Sequence, residues 1–153
     1  MPSYAKLFLW VTAYLLVAFM IGQSMQGSID GWYKALNKPS FNPPNWIFPI
    51  MWSILYVFIA TAGWNLWKMG ASIRLKGLYI LYTLMNWAWT FIFFGAQQIF
   101  LGLLWLTALN IVAALFIIIA NRQARFSALL MIPPFLWTLF ACFLNYNIWM
   151  LNS

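Results

Sequence analysis

The run IFLGLLWLTALNIVAALFIIIA, Ile99 to Ala120, carries no charged residue over 22 positions. A helix needs about 20 apolar residues to cross a hydrocarbon core about 30 Å thick. This stretch therefore reads as a transmembrane helix. Four further runs of the same kind flank it: Phe126 to Trp149 on the C-terminal side, and Gly77 to Phe94, Trp46 to Trp67 and Ala5 to Gln26 on the N-terminal side. The first begins near Lys6 and could be mistaken for a signal peptide. It is too long for an ordinary signal core, and Gly22, Gln23 and Ser24 near its end make no clear cleavage site.

Five spans consume most of the 153 residues, of which 65% are hydrophobic, eight are basic and one is acidic. A chain of that composition has no polar coat for a water-facing surface. The fold class expected is all-α: an integral membrane bundle of five transmembrane helices, a single domain over residues 1–153. The net charge of +7 does not point to nucleic acid, because the basic residues are scattered between apolar runs rather than gathered on one face. They serve better as topology signals. With five spans, Lys6, Lys68, Arg74, Lys76, Arg122 and Arg125 fall on one side, and only Lys34 and Lys38, partly offset by Asp30, on the other. The positive-inside rule then places the N-terminus in the cytoplasm.

One connection is long. Residues 27–45, GSIDGWYKALNKPSFNPPN, are rich in Gly, Pro, Asn and Ser and contain Asp30, the sole acidic residue. Asn42 before Pro43 and Pro44 suggests a capped helix entry. A long loop in so small a protein reads as functional, a lid over a site, with a plain linker as the alternative.

The chain has no His, no Glu and a single Cys, Cys142. No carboxylate pair, metal cluster or Ser-His-Asp arrangement can be assembled from one copy. No metal site is expected, and no cofactor is required. Aromatic residues abound instead: 11 Trp, 14 Phe and 7 Tyr. Trp10, Trp67, Trp105 and Trp149 read first as membrane-interface rings. Others call for a different explanation. Trp52 follows Pro49 and Trp137 follows Pro134 by three residues, and a proline in a membrane helix frees backbone groups, often beside a cavity. Trp87 and Trp89 flank Asn86, an amide that in hydrocarbon must find a partner. These features suggest a pocket of flat rings with Asn86, Asn110 and Asn145 as neutral hydrogen-bonding groups, suited to a large, flat, mostly apolar molecule. Helix-on-helix packing of the same rings is the alternative, and periodicity does not separate the two.

Three stretches resemble the signatures of a known family in order and spacing: WYKALNKPSFNPPNWIFPIMW (Trp32–Trp52), NWAWTFIFFGAQQ (Asn86–Gln98) and PFLWTLFACFLNYNIW (Pro134–Trp149). The family is TspO/MBR, the translocator proteins once called peripheral benzodiazepine receptors. The resemblance implies five membrane helices and a pocket beneath the long loop. It also implies binding of porphyrins, protoporphyrin IX among them, and of benzodiazepine- or isoquinoline-type drugs. Trp52 and Trp137 match the family tryptophans associated with tetrapyrrole binding and breakdown, and are the candidate catalytic residues. Ala141 matches a pocket alanine. Tyr33, Pro44, Asn86, Trp89 and Leu144 match, or adjoin, residues that line the pocket.

The resemblance leaves three functions open: a tetrapyrrole receptor or sensor, a light- and oxygen-dependent degrading enzyme, and a porphyrin or lipid transporter. Without His to ligate iron, metal-free protoporphyrin suits the chain better than haem. Departures from the family are informative. No Lys or Arg follows Tyr146, so the animal cholesterol-recognition pattern is incomplete and cholesterol binding through it is not expected. Gly77 and Leu81 keep poorly the small-residue pattern of a bacterial dimer interface, whereas Ala18 and Gly22 in the first span fit that spacing. Homodimerisation stays open. The short tail resembles bacterial members, which implies the cell membrane.

Overall fold

The computed structural model describes residues 3–153; Met1 and Pro2 of the expected domain lie outside the described residues. Five helices follow one another: α1 Ser3–Ser28, α2 Ile47–Lys68, α3 Ile73–Thr90, α4 Ile99–Gln123 and α5 Arg125–Leu151. All five are long and apolar enough to cross a membrane, and the protein is an integral membrane bundle. Helices are the form that lipid permits, because each backbone N–H finds its carbonyl within the same segment.

Two helices run on through π turns, Ile29–Tyr33 after α1 and Phe91–Gly95 after α3. The first changes the reading of the long connection. Residues 27–35 are helical, and irregular chain begins only at Leu36. Gly27 and Gly31 are poor helix formers, but tertiary contacts outweigh them. Ser28 Oγ donates to the Phe94 carbonyl at 2.6 Å, and Trp32 and Tyr33 pack edge-on against Phe93, with ring centroids 5.5 and 6.1 Å away. Asn42 does not cap α2. It accepts from the Tyr33 hydroxyl at 3.2 Å and donates to the Pro43 carbonyl, and α2 starts five residues later at Ile47. Pro49 falls in the first turn of α2, where its missing N–H is not needed, so it introduces no kink. Pro133 and Pro134 do lie inside α5.

Short side-chain clasps hold the bundle. α4 and α5 form a hairpin about Ala124, and their mid-points are joined by Asn110 and Thr138, equidistant from that turn along the chain. Thr138 Oγ1 donates to Asn110 Oδ1 at 2.7 Å, and Asn110 Nδ2 donates to the Leu106 and Thr138 carbonyls. Asn65 of α2 donates to Ser127 Oγ of α5, which passes a hydrogen bond to the Ala62 carbonyl. Trp105, read from the sequence as an interface ring, also joins α4 to α3 by donating to the Met85 carbonyl at 2.8 Å. α1 contributes no buried residue. Its hold on the bundle includes Tyr14, whose hydroxyl is hydrogen-bonded to the Tyr79 hydroxyl at 2.6 Å and meets Thr83 at 3.2 Å.

The ends of the bundle differ in charge. α2 and α3 are joined through Gly70, whose positive φ of 67° suits glycine, and this turn carries Lys68, Arg74 and Lys76. Ser72 there bonds Gln123 at 2.8 Å, bringing Arg122 and Arg125 to the same end. At the other end the 36–46 segment is laced to the C-terminus: Asn37 N donates to Asn152 Oδ1 at 3.0 Å, and Asn152 Nδ2 donates to the Asn37 carbonyl at 2.8 Å.

Of the glycines, Gly63 has the least room beside it. A Cβ there would overlap the hydroxyl end of the fully buried Tyr79, whose hydroxyl donates to the Ile59 carbonyl at 3.0 Å. Gly63→Ala is expected to destabilise the protein by about 1–3 kcal/mol through overpacking. Gly22→Ala, inside α1 and with nothing within 4 Å of the new Cβ, should instead leave stability unchanged or raise it by up to about 1 kcal/mol through helix propensity. Thermal unfolding of the two variants in one detergent checks the contrast.

Candidate functional site

A cavity of about 740 Å³ opens at the less basic end of the bundle, between α1, α2, α3 and α5. Ligand sites commonly span about 300–1,000 Å³. Its α1 wall follows from helical spacing: Leu15, Ala18, Gly22, Met25, Ile29 and Tyr33 recur at intervals of three and four and line one side. Ala18 and Gly22, which by spacing alone suited a dimer contact, thus face the cavity.

Rings from three other helices form the opposite walls. Trp52 of α2 lies 5.5 Å from Tyr56, one turn on. Trp137 of α5 meets Phe48 edge-on at 6.2 Å and Phe140 at 5.6 Å. Trp89 of α3 stacks on Phe93 at 5.2 Å with the planes 23° apart. Ala141 and Leu144, one and two turns beyond Trp137 on the same helix face, complete the α5 wall. Ala141 presents only a methyl group to the cavity.

Tyr33 closes one side. It is buried, its ring is wedged against Phe93 and Phe94, and its hydroxyl reaches Asn42 of the connecting segment. Lys38 secures the corner: its ammonium lies 4.9 Å from the Tyr33 ring centroid and donates to the carbonyls of Tyr33, Leu36 and Lys34 at 2.7, 2.8 and 3.1 Å. That ammonium anchors the segment to the end of the extended α1.

Six of the expected residues therefore share the cavity wall: Tyr33, Trp52, Trp89, Trp137, Ala141 and Leu144. Two do not. Pro44 lies in the turn entering α2, its carbonyl accepting from Ile47 N at 3.0 Å, while Asn45 and Trp46 beside it reach the cavity. Asn86 stands one layer behind the wall. It is buried, and its Oδ1 accepts from Tyr56 Oη at 2.8 Å, so it braces the ring next to Trp52. The three asparagines grouped together from sequence separate in space. Asn110 belongs to the α4–α5 clasp, Asn86 supports Tyr56, and Asn145 alone lines the cavity.

Sequence reasoning passed over Tyr56, Phe48 and Phe93, each on the wall. Tyr56 and Phe48 are four residues after and before Trp52, as Phe93 is after Trp89. Helical spacing from the tryptophans was the signal that could have found them. The described lining contains one ionisable carboxylate and no Lys or Arg: Asp30 accepts from Gln26 Nε2 at 3.0 Å on the α1 side. Such walls suit stacking and shape recognition, with charge at most near the mouth.

Comparison with known proteins agrees with this arrangement. The family model described as TspO/MBR matches residues 10–150. The tryptophan-rich protein TspO of Archaeoglobus fulgidus is 33% identical over 97% of both chains. The translocator protein of Homo sapiens is 32% identical over 88% of this chain and 82% of its own. The tryptophan-rich sensory protein of Cereibacter sphaeroides is 30% identical over 80% and 78%. With five membrane helices, a tryptophan-walled cavity and similarity that runs nearly end to end, the chain belongs to the TspO/MBR family.

Proposed function

We propose that the protein is a membrane receptor or sensor for metal-free tetrapyrroles, protoporphyrin IX in particular, active in porphyrin homeostasis or the response to stress. The same cavity would take benzodiazepine- or isoquinoline-type molecules. The observation that carries this reading is the cavity of about 740 Å³ with Trp52, Trp89 and Trp137 on its walls. A flat macrocycle gains burial and ring contacts there. Its acidic substituents belong at the mouth, since the walls offer them no cation. The sensory name of the Cereibacter sphaeroides relative accords with such a role.

A second reading, light-dependent degradation, is favoured by one further observation: Trp52 and Trp137 both reach the cavity, from different helices. Tryptophan is readily oxidised. A photoexcited macrocycle held against it, with dioxygen as oxidant, would be steered toward ring opening, the chemistry residing in the ligand and the protein supplying binding and orientation. Transport ranks below both, because alternating access commonly rests on repeated halves and the sequence has no internal repeat. The setting proposed is a bacterial cell membrane with the basic end of the bundle in the cytoplasm, so that the cavity mouth and the C-terminus face outward.

Protoporphyrin IX added to the purified protein should quench tryptophan fluorescence saturably, and Trp52→Phe and Trp137→Phe should each weaken binding several-fold. Under light in air, decay of the porphyrin absorption band that requires both tryptophans would establish degradation, and a stable band would establish binding alone. An absence of quenching would refute both readings. Orientation has its own test. In a Cys142→Ala background, Ser40→Cys should react with a membrane-impermeant thiol reagent applied to intact cells, and Ser72→Cys should react only after lysis. The reverse pattern would invert the topology.

A further inference from the structure

The basic end of the bundle carries cations that no acidic side chain of the protein can neutralise. Lys6, Lys68, Arg74, Lys76, Arg122 and Arg125 gather there, whereas Asp30, the sole acidic residue, lies at the opposite end. Two of the ammonium groups are set on rings instead. Lys76 Nζ lies 5.5 Å from the Trp67 ring centroid, and Lys68 Nζ lies 4.7 Å from that of Trp64. Trp67 in turn meets Trp10 of α1, the two ring centroids 5.3 Å apart. This pair of tryptophans brings the first turns of α1 to Lys76 of α3.

Beside the pair, a groove of about 540 Å³ runs along α1, lined by Lys6, Leu9, Trp10, Ala13 and Tyr14. Their spacing of three and four places them on one stripe of the helix. At its inner end Tyr14 bonds Tyr79 and Thr83 of α3, so the groove follows the contact between α1 and α3. No residue lines both this groove and the tryptophan-walled cavity. Along the stripe an ammonium in the first turn of α1 gives way to rings and aliphatic side chains deeper in the membrane.

We propose that the groove is a site for one anionic phospholipid of the adjoining leaflet. Lys6 and Lys76 take the phosphate, and Leu9, Trp10, Ala13 and Tyr14 take an acyl chain. Both lysines sit in the first turn of their helices, where long cationic side chains reach headgroup level. A phosphate there gains charge-assisted hydrogen bonds. A zwitterionic lipid gains less, because it brings its own ammonium. A free phosphate ester leaves the apolar stripe uncovered. A second copy of the chain docked face to face would set Lys6 against cations of its own kind.

Native mass spectrometry of protein purified free of lipid tests the site, with palmitoyl-oleoyl phosphatidylglycerol and the matching phosphatidylcholine supplied in equal amounts. The parent should retain one phosphatidylglycerol per chain in clear preference to phosphatidylcholine. Lys6→Gln and Lys76→Gln should each weaken that retention about fivefold, the ratio that about 1 kcal/mol per basic residue implies. Arg122→Gln combined with Arg125→Gln removes two charges from the same end but none from the groove, and screening should keep its effect within about twofold. Ala13→Trp alters no charge, fills the groove and should also weaken retention. Glycerophosphoglycerol, the headgroup without chains, should not compete. Lipid-free unfolding midpoints of the lysine variants should match that of the parent.

Equal retention of the two lipids by the parent would overturn the proposal. So would an equal loss in the arginine double variant, which would mark a diffuse positive face, or competition by glycerophosphoglycerol, which would mark a phosphate site. A dimer that retains no phospholipid would assign the groove to a second copy instead.

Discussion

In hydrocarbon, water is not available to satisfy a polar group, so each N–H, carbonyl, hydroxyl and amide must find its partner within the protein. That constraint makes the chain helical and makes its few polar side chains decisive. Thr138 with Asn110, Ser127 with Asn65 and Tyr79 with Tyr14 each tie one helix to another. A few buried groups are exceptions to that constraint. Among the described residues these are the indole N–H groups of Trp10, Trp87 and Trp89, the Tyr82 hydroxyl and the Asn145 amide, all buried without a protein partner.

The hollow itself depends on how α1 is attached. α1 buries no residue, and it stands against the other helices as a wall. Tyr14 holds it near the basic end through a hydroxyl network, while Ser28 and Tyr33 hold it near the other. The π turns Ile29–Tyr33 and Phe91–Gly95 meet at that end, where Tyr33 packs edge-on against Phe93 and Phe94. Between these two attachments the wall and the tryptophans opposite it remain apart. The connecting segment, pinned by Lys38 to the end of α1 and by Asn37 to Asn152, lies at the same end as the mouth.

Much of this was legible in advance. Five apolar runs announced five helices, and their ends were misjudged by only a few residues: α3 starts at Ile73 rather than Gly77, because Ser72 accepts from Leu75 N and opens the helix early. The larger error concerned residues 27–35. Their glycines and Asp30 read as loop, yet they are helical because Trp32 and Tyr33 pack on rings more than fifty residues away in the chain. Among the site residues, Trp52 and Trp137 were accessible through family motifs. Asn86 and Pro44, expected to match or adjoin wall residues, lie behind and beside the wall.

Composition and pattern alone therefore determined the solvent, the helix count, the distribution of charge between the two ends and the lack of any His or Glu. These properties depend on residue type and on spacing along one helix, both of which are local. Only the tertiary structure decided which asparagine is a clasp, which is a brace and which opens on the cavity. Asn86, Asn110 and Asn145 are alike as isolated amides in apolar helices. Their roles differ because the rotation of each helix about its axis, and the presence of Tyr56, Thr138 or a bare Gly102 on the neighbour, determine whether a partner is within reach.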